Sequence, residues 1–233
     1  MAQRIHADRS QTEGDELLSR LLRGEEDGGE LENRLLDELH EGYPLSKLRL
    51  LLKANDGKTV AAGMWIASEL GAGARPLFAD IAGLIHHPRW QVRFFALDCL
   101  VTCSQPEDTL AVNLGLDLVE DPEPSVRWKA LVFLATVPDT VLRAALSAPA
   151  AKQSDLRTKG LHLVLNSAVS HNTAAIVSGL ASSDALIRRY AAAAAARLVH
   201  RDAGPLKQAT ESADPTIKQF AIDMAARAGI SGN

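Results

Sequence analysis

Asp121-Pro122-Glu123-Pro124-Ser125-Val126-Arg127-Trp128-Lys129-Ala130-Leu131 is the stretch whose reading decides the fold. Acids and prolines come first, then a β-branched residue, a base, two variable positions and a small residue. Proline is tolerated in the first turn of a helix, and acids there oppose the positive end of the helix dipole. Val126, Ala130, Leu134 and Val137 then fall on one face at helical spacing. The same phrase returns as Val92-Arg93 with Ala96, Leu156-Arg157 with Gly160, Ile187-Arg188 with Ala191, and Ile217-Lys218 with Ala221. A weaker copy, without the base, starts at Val60-Ala61. The anchors at 60, 92, 126, 156, 187 and 217 are 32, 34, 30, 31 and 30 residues apart. A near-constant period of this length means stacked supersecondary units, and it outranks any local motif.

A shorter helical segment precedes each anchored helix, so the chain reads as helix–turn–helix units in a row. In Pro124-x-Val126-Arg127-x-x-Ala130, Asp184-x-x-Ile187-Arg188-x-x-Ala191 and Asp214-Pro215-x-Ile217-Lys218-x-x-Ala221 it resembles the HEAT-like repeat proteins over about residues 43–233. The resemblance implies an all-α fold, an α-solenoid of about six repeats behind an N-terminal helical cap, with the second helices lining an inner concave surface. It also implies that Arg93, Arg127, Arg157, Arg188 and Lys218 form a structural ladder. These bases would bond acids and carbonyls at the starts of neighbouring helices, with Asp121, Asp155, Asp184 and Asp214 as candidate acceptors. The rival reading of the column is a row of phosphate contacts for nucleic acid.

Hydrophobic residues make up 46% of the 233 and aromatics only 4%, so alanine and leucine must do most of the packing. That suits close helix–helix contact better than a sheet. The net charge of −4 is uneven: residues 1–42 hold 12 acids and 5 bases, the remainder 17 acids and 20 bases. A surplus that small is far from a nucleic-acid footprint. The start has no apolar signal region, and no segment approaches the roughly 20 apolar residues needed to span a bilayer. Cys99 and Cys103 make no disulfide framework, so a cytoplasmic location and no membrane association are expected.

Residues 1–14 are polar and without period, which predicts a disordered tail. Residues 15–42 predict an acidic N-terminal helical cap, broken by Gly24-Glu25-Glu26-Asp27-Gly28-Gly29. The acidic run is either a solvated outer face, as the first layer of a stack requires, or a dedicated partner site. Residues 43–233 form the expected repeat domain. Within it, Gly160 sits mid-helix, where glycine costs up to about 1 kcal/mol against alanine unless a neighbouring helix approaches closely. Alanines 191–196 predict the same kind of close approach.

With each anchor as zero and 100° per residue, positions +2, +6 and +9 lie away from the anchor's face. They include Phe94, Asp98, Trp128, Val132, His162 and Arg189. A solvated stripe would be mostly charged. This one is largely apolar and carries two aromatics, so it predicts a protein-binding patch, which Trp90 at the rim would extend. Burial between layers is the competing explanation. No metal site is expected: Cys99 and Cys103 are one helical turn apart, without the tight pairs zinc prefers. No catalytic residue and no cofactor site is expected either, since no serine or cysteine sits in a recognisable nucleophile signature.

The primary expectation is therefore a non-enzymatic protein-binding scaffold, acting as a monomer on another protein. The stretches Gly63-Met64-Trp65-Ile66-Ala67-Ser68-Glu69-Leu70-Gly71 and His87-Pro88-Arg89-Trp90-Gln91-Val92-Arg93-Phe94 are similar to small bacterial HEAT-like proteins, some of them encoded beside secreted toxins. That resemblance implies an immunity protein that binds and neutralises a bacterial toxin through its concave face. The alternatives are a HEAT-like DNA glycosylase or other nucleic-acid-binding enzyme, for which Asp98 is the sole inner acid near Trp128 and Phe94, and a bilin-lyase-like protein.

Overall fold

The computed structural model describes residues 2–148, 155–170 and 173–230. Every regular element among them is helical, and no strand occurs. No single described helix is long and apolar enough to cross a membrane. The chain divides into two compact units, residues 1–103 and 104–233.

The first unit contains α1 (Ala2–Leu22), α2 (Glu30–His40), α3 (Arg49–Leu52), α4 (Gly57–Glu69), α5 (Phe78–Ala82) and α6 (Trp90–Cys103). Short 3-10 segments at Leu45–Leu48 and Gly71–Leu77 link them. Two expectations change here. Residues 2–14 are the first half of α1 rather than a disordered tail, since no proline or left-handed turn interrupts the helix before Gly24. The boundary placed at residue 42 is not a boundary between units, because α1 and α2 pack against α3 and α4. Gly14 is one reason: a Cβ there would lie 2.4 Å from the Tyr43 ring, so only glycine lets the ring seat on the helix. The Tyr43 hydroxyl then donates to Asp15 Oδ1 at 2.7 Å. That hydroxyl, followed by the Lys47 ammonium, holds the Asp15 carboxyl below the usual carboxylate range.

Leu17, Leu21, Leu31, Leu35, Leu51 and Met64 are buried in this unit's core. Each is worth about 1.5–3 kcal/mol in apolar surface removed from water. Helix α4 starts where Asp56 caps it, accepting from the Thr59 amide at 2.9 Å. Its Gly63 allows a close crossing: a Cβ would fall 2.7 Å from the Leu51 Cβ.

The second unit contains α7 (Thr109–Asp117), α8 (Pro124–Thr136), α9 (Asp139–Ser147), α10 (Asp155–Ser170), α11 (Thr173–Leu180), α12 (Ala185–Leu198), α13 (Gly204–Ala209) and α14 (Pro215–Arg227). Helix α12 is its centre and touches α8, α10, α11, α13 and α14. Ala191 to Ala195 are wholly buried, as expected of a helix with no polar side along that run. A Cβ on Gly160 of α10 would meet the Tyr190 ring at 2.4 Å, and one on Gly179 of α11 would meet Ala191 at 2.9 Å. The mid-helix glycine is the seat of an aromatic ring.

Simple stacking would have each helix pair meet only its immediate neighbours. Here α8 packs on α12, two pairs further along, and also on α14, three pairs along. The Trp128 indole donates to Asp223 Oδ2 at 2.9 Å and Arg127 donates to the Thr216 hydroxyl at 3.3 Å. An alanine-rich centre carries too little bulk to hold its neighbours apart, so helices distant in sequence close around it.

Candidate functional site

The column of bases makes a recurring local device. Arg93 Nη1 donates to the carbonyls of His87 and Pro88 at 2.9 and 3.0 Å. Arg127 does the same to Asp121 and Pro122 at 2.7 and 2.9 Å, and Arg188 to Ser182 and Ser183, both at 2.8 Å. Each arginine closes the turn six and five residues before it. These carbonyls belong to the arginine's own turn. Two of the acids cap their own helices: Asp184 accepts from the Leu186 and Ile187 amides, Asp214 from those of Thr216 and Ile217. Arg157 departs from the pattern and reaches Asp117 Oδ1 at 2.6 Å and the Asn113 carbonyl. Lys218 is exposed and makes no such bond, since an ammonium lacks the planar fork that spans two carbonyls. Arg188→Met is therefore expected to cost about 1–3 kcal/mol, two hydrogen bonds at about 0.5–1.5 each. Lys218→Met should stay within about 0.5 kcal/mol. Urea midpoints of the two variants check this, and equal losses would contradict it.

The proposed apolar stripe is not an open face in the second unit. Val132 is buried at 6% exposure. Arg189 donates to the Val119 carbonyl at 3.0 Å and pairs with Asp214 at 3.5 Å, so its charge is engaged internally. Trp128 is half-buried, bonded to Asp223, with the Lys129 ammonium and the Arg227 guanidinium 5.6 and 5.9 Å from its ring. His162 alone of the four is exposed. The physical reason is the one that buries α12: positions facing away from one neighbour meet another. In the first unit, Asp98 and Phe94 are half-buried, and the Phe94 ring stands edge-on to Phe95 at 5.4 Å. Trp90 is 39% exposed.

The first unit also holds a cleft of about 760 Å³ that the stripe did not include. Trp65 of α4 and Phe95 of α6 form its apolar wall, with Ala61 and Ala62 beside them. The Gly24–Gly29 loop forms its mouth. Gly24, Gly28 and Gly29 all have φ between 73 and 95°, a left-handed region that side chains disfavour, so the loop turns tightly. Arg89 and Lys58 enter from the starts of α6 and α4.

Electrostatics in the cleft follow from local bonds. Lys58 Nζ donates to Glu26 Oε1 at 2.7 Å, which raises the lysine's pKa. Glu25 is held below the usual carboxylate range by Arg20, then by Arg23. Asp56 is lowered by the Thr59 amide, then by its hydroxyl. Asp27 Oδ1 accepts from the Leu31 amide at 2.9 Å and so starts α2. The Arg89 side chain makes no hydrogen bond or ion pair among the described residues, and its Nε is buried without a partner. Glu32, half-buried on the first turn of α2, has no partner either. The cleft thus joins an aromatic wall, an acidic rim and one unengaged guanidinium. No described set of three or more His, Cys, Asp or Glu residues could hold a metal ion.

The stripe reading came within one residue of this wall. Phe95 adjoins Phe94, and position +2 of the Val60 copy is Ala62, which lines the cleft. Trp65, at +5, lies about 140° round from the anchor, outside the positions used.

No family model matches the chain, and no curated protein does. Among solved structures it is similar to two engineered proteins of the Northeast Structural Genomics Consortium. One is 17% identical with a TM-score of 0.43, over 78% of this chain and 95% of that one. The other is 17% identical with a TM-score of 0.45, over 88% of this chain and 61% of that one.

Proposed function

We propose that the chain is a non-enzymatic protein-binding module, and that the cleft in residues 1–103 is its grip. The observation that carries this is the cleft itself: Trp65 and Phe95 line an open concavity whose rim is polar, the composition of a site that anchors a partner side chain. The recurring arginine-closed turn supports reading the helix pairs as HEAT-like repeats, a scaffold that loses little entropy when it binds. The finer proposal is a cytoplasmic, monomeric immunity protein that binds and neutralises a bacterial toxin, resting on the resemblance of residues 63–71 and 87–94. The contact surface moves from the inner stripe to the cleft, because Val132, Trp128 and Arg189 are engaged within their own unit.

Affinity purification of the tagged chain from its native cell, after nuclease treatment, tests the reading. One polypeptide in roughly equal amount is the expected result. Recovery of no polypeptide, together with a salt-sensitive shift of a DNA duplex, would contradict it in favour of the nucleic-acid alternative.

A further inference from the structure

We propose that the cleft of residues 1–103 receives a segment of the partner protein bearing arginine or lysine; the proposal rests on the binding-module reading and names the chemistry of the guest. Among the charged residues that line the cleft, Glu25, Glu26, Asp27, Glu32 and Asp56 are acids, and only Lys58 and Arg89 are bases. The Lys58 charge is already matched by Glu26. Glu32 is half-buried and has no side-chain partner among the described residues, so an arriving cation supplies its carboxylate with a counter-charge. Trp65 and Phe95 supply aromatic surface beside these acids. A guanidinium or ammonium is attracted to such faces while its hydrogens reach carboxylates, a combination neither an anion nor an apolar side chain can use. Charge over the longer range agrees: residues 1–103 carry 16 acids and 12 bases, whereas residues 104–233 carry 13 of each.

Arg89 selects among cationic guests. Its side chain has no partner in the cleft, and it repels a bare polyamine. A peptide brings main-chain carbonyls that a guanidinium can hold, so a basic segment of protein fits both the rim and Arg89. The mouth is open to such a chain, since nothing lies within 4 Å of where a Cβ on Gly24, Gly28 or Gly29 would sit.

The test uses the full chain and two blocked pentapeptides, acetyl-Gly-Arg-Gly-Arg-Gly-amide and acetyl-Gly-Glu-Gly-Glu-Gly-amide. The indole N–H signal of Trp65, assigned by its loss in Trp65→Phe, is followed by NMR during titration. The arginine peptide should shift it saturably, and the glutamate peptide should leave it in place. Glu32→Gln, checked for an unchanged helical spectrum, should weaken the arginine peptide at least threefold. An indole that ignores the arginine peptide, responds equally to both, or is indifferent to Glu32→Gln would overturn the proposal. Should a polypeptide still co-purify with the chain in that case, the guest chemistry falls and the binding-module reading stands; with no co-purifying polypeptide, both fall.

Discussion

Tyr190→Ala should lower the stability of residues 104–233 by about 3–5 kcal/mol, the range for truncating a large buried aromatic. The ring is fully buried at the start of the alanine run of α12 and lies against Gly160 of α10. Truncation leaves a void whose opposite wall is a glycine and whose neighbours along the helix are alanines, so no nearby side chain can swing in to fill it. Collapse of the two backbones is resisted by the remaining contacts of α12 on its other sides. Denaturant unfolding followed by circular dichroism measures the loss, and a change under about 1 kcal/mol would contradict the seat. A double-mutant cycle sharpens the point. Gly160→Ala strikes the ring in the wild type, where its Cβ would sit 2.4 Å away, but in the Tyr190→Ala background the ring is gone and the Cβ of residue 190, at 3.0 Å, remains. It should therefore be more destabilising alone than in the Tyr190→Ala background.

The second large effect is expected at Arg197. Its side chain is only 10% exposed, and it clamps the end of α8 to the start of α9. Nε donates to the Leu134 carbonyl at 2.8 Å, Nη1 to Asp139 Oδ1 at 2.5 Å, and Nη2 to the Val137 carbonyl. Burial pulls its pKa below the usual arginine value, and Asp139 opposes that pull. Arg197→Met keeps much of the apolar stem but leaves one carboxylate and two carbonyls without their donor. Breaking one side of a buried pair costs about 3–5 kcal/mol, and the lower end applies because Asp139 is 33% exposed. Arg197→Lys should recover only part of the loss, since an ammonium cannot serve three acceptors arranged for a planar fork. Complete rescue by lysine would show that charge alone, and not the fork, holds the two helices.

The sequence made the helices legible, and with them the turns. Pro124, Pro215 and the acids before them mark where α8 and α14 begin, and Val126 and Ile217 mark the faces they bury. The arginine column was legible as a recurring feature with carbonyls among its expected acceptors, but which carbonyls was not: Arg93, Arg127 and Arg188 each take two from their own turn. Backbone carbonyls leave no trace in a sequence, whereas the aspartates did, and two of those turn out to cap helices. The order of packing was hidden for a different reason. A period says that units recur, not which unit meets which, and the bond from Trp128 to Asp223 joins residues 95 apart. Residues 2–14 lacked an apolar period, yet they continue α1, because a helix anchored by Leu17, Leu18 and Leu21 can extend where nothing breaks it. The cleft needed three separate segments, at residues 24–33, 56–65 and 89–95, to meet in space. Trp90 and Phe94 in the third segment and the acidic run around the first were readable as partner sites, but their meeting with Trp65 and Phe95 was not.

Site-specific photo-crosslinking in the native cell tests most directly the claim that a partner is held in the cleft of residues 1–103. A photoreactive phenylalanine analogue is placed at Gln91, in the cleft wall, and separately at Leu110, which is 69% exposed in the second unit. The expected result is one discrete protein adduct from position 91 and none from position 110. An adduct from position 110 with none from position 91 would place the grip elsewhere and contradict the account.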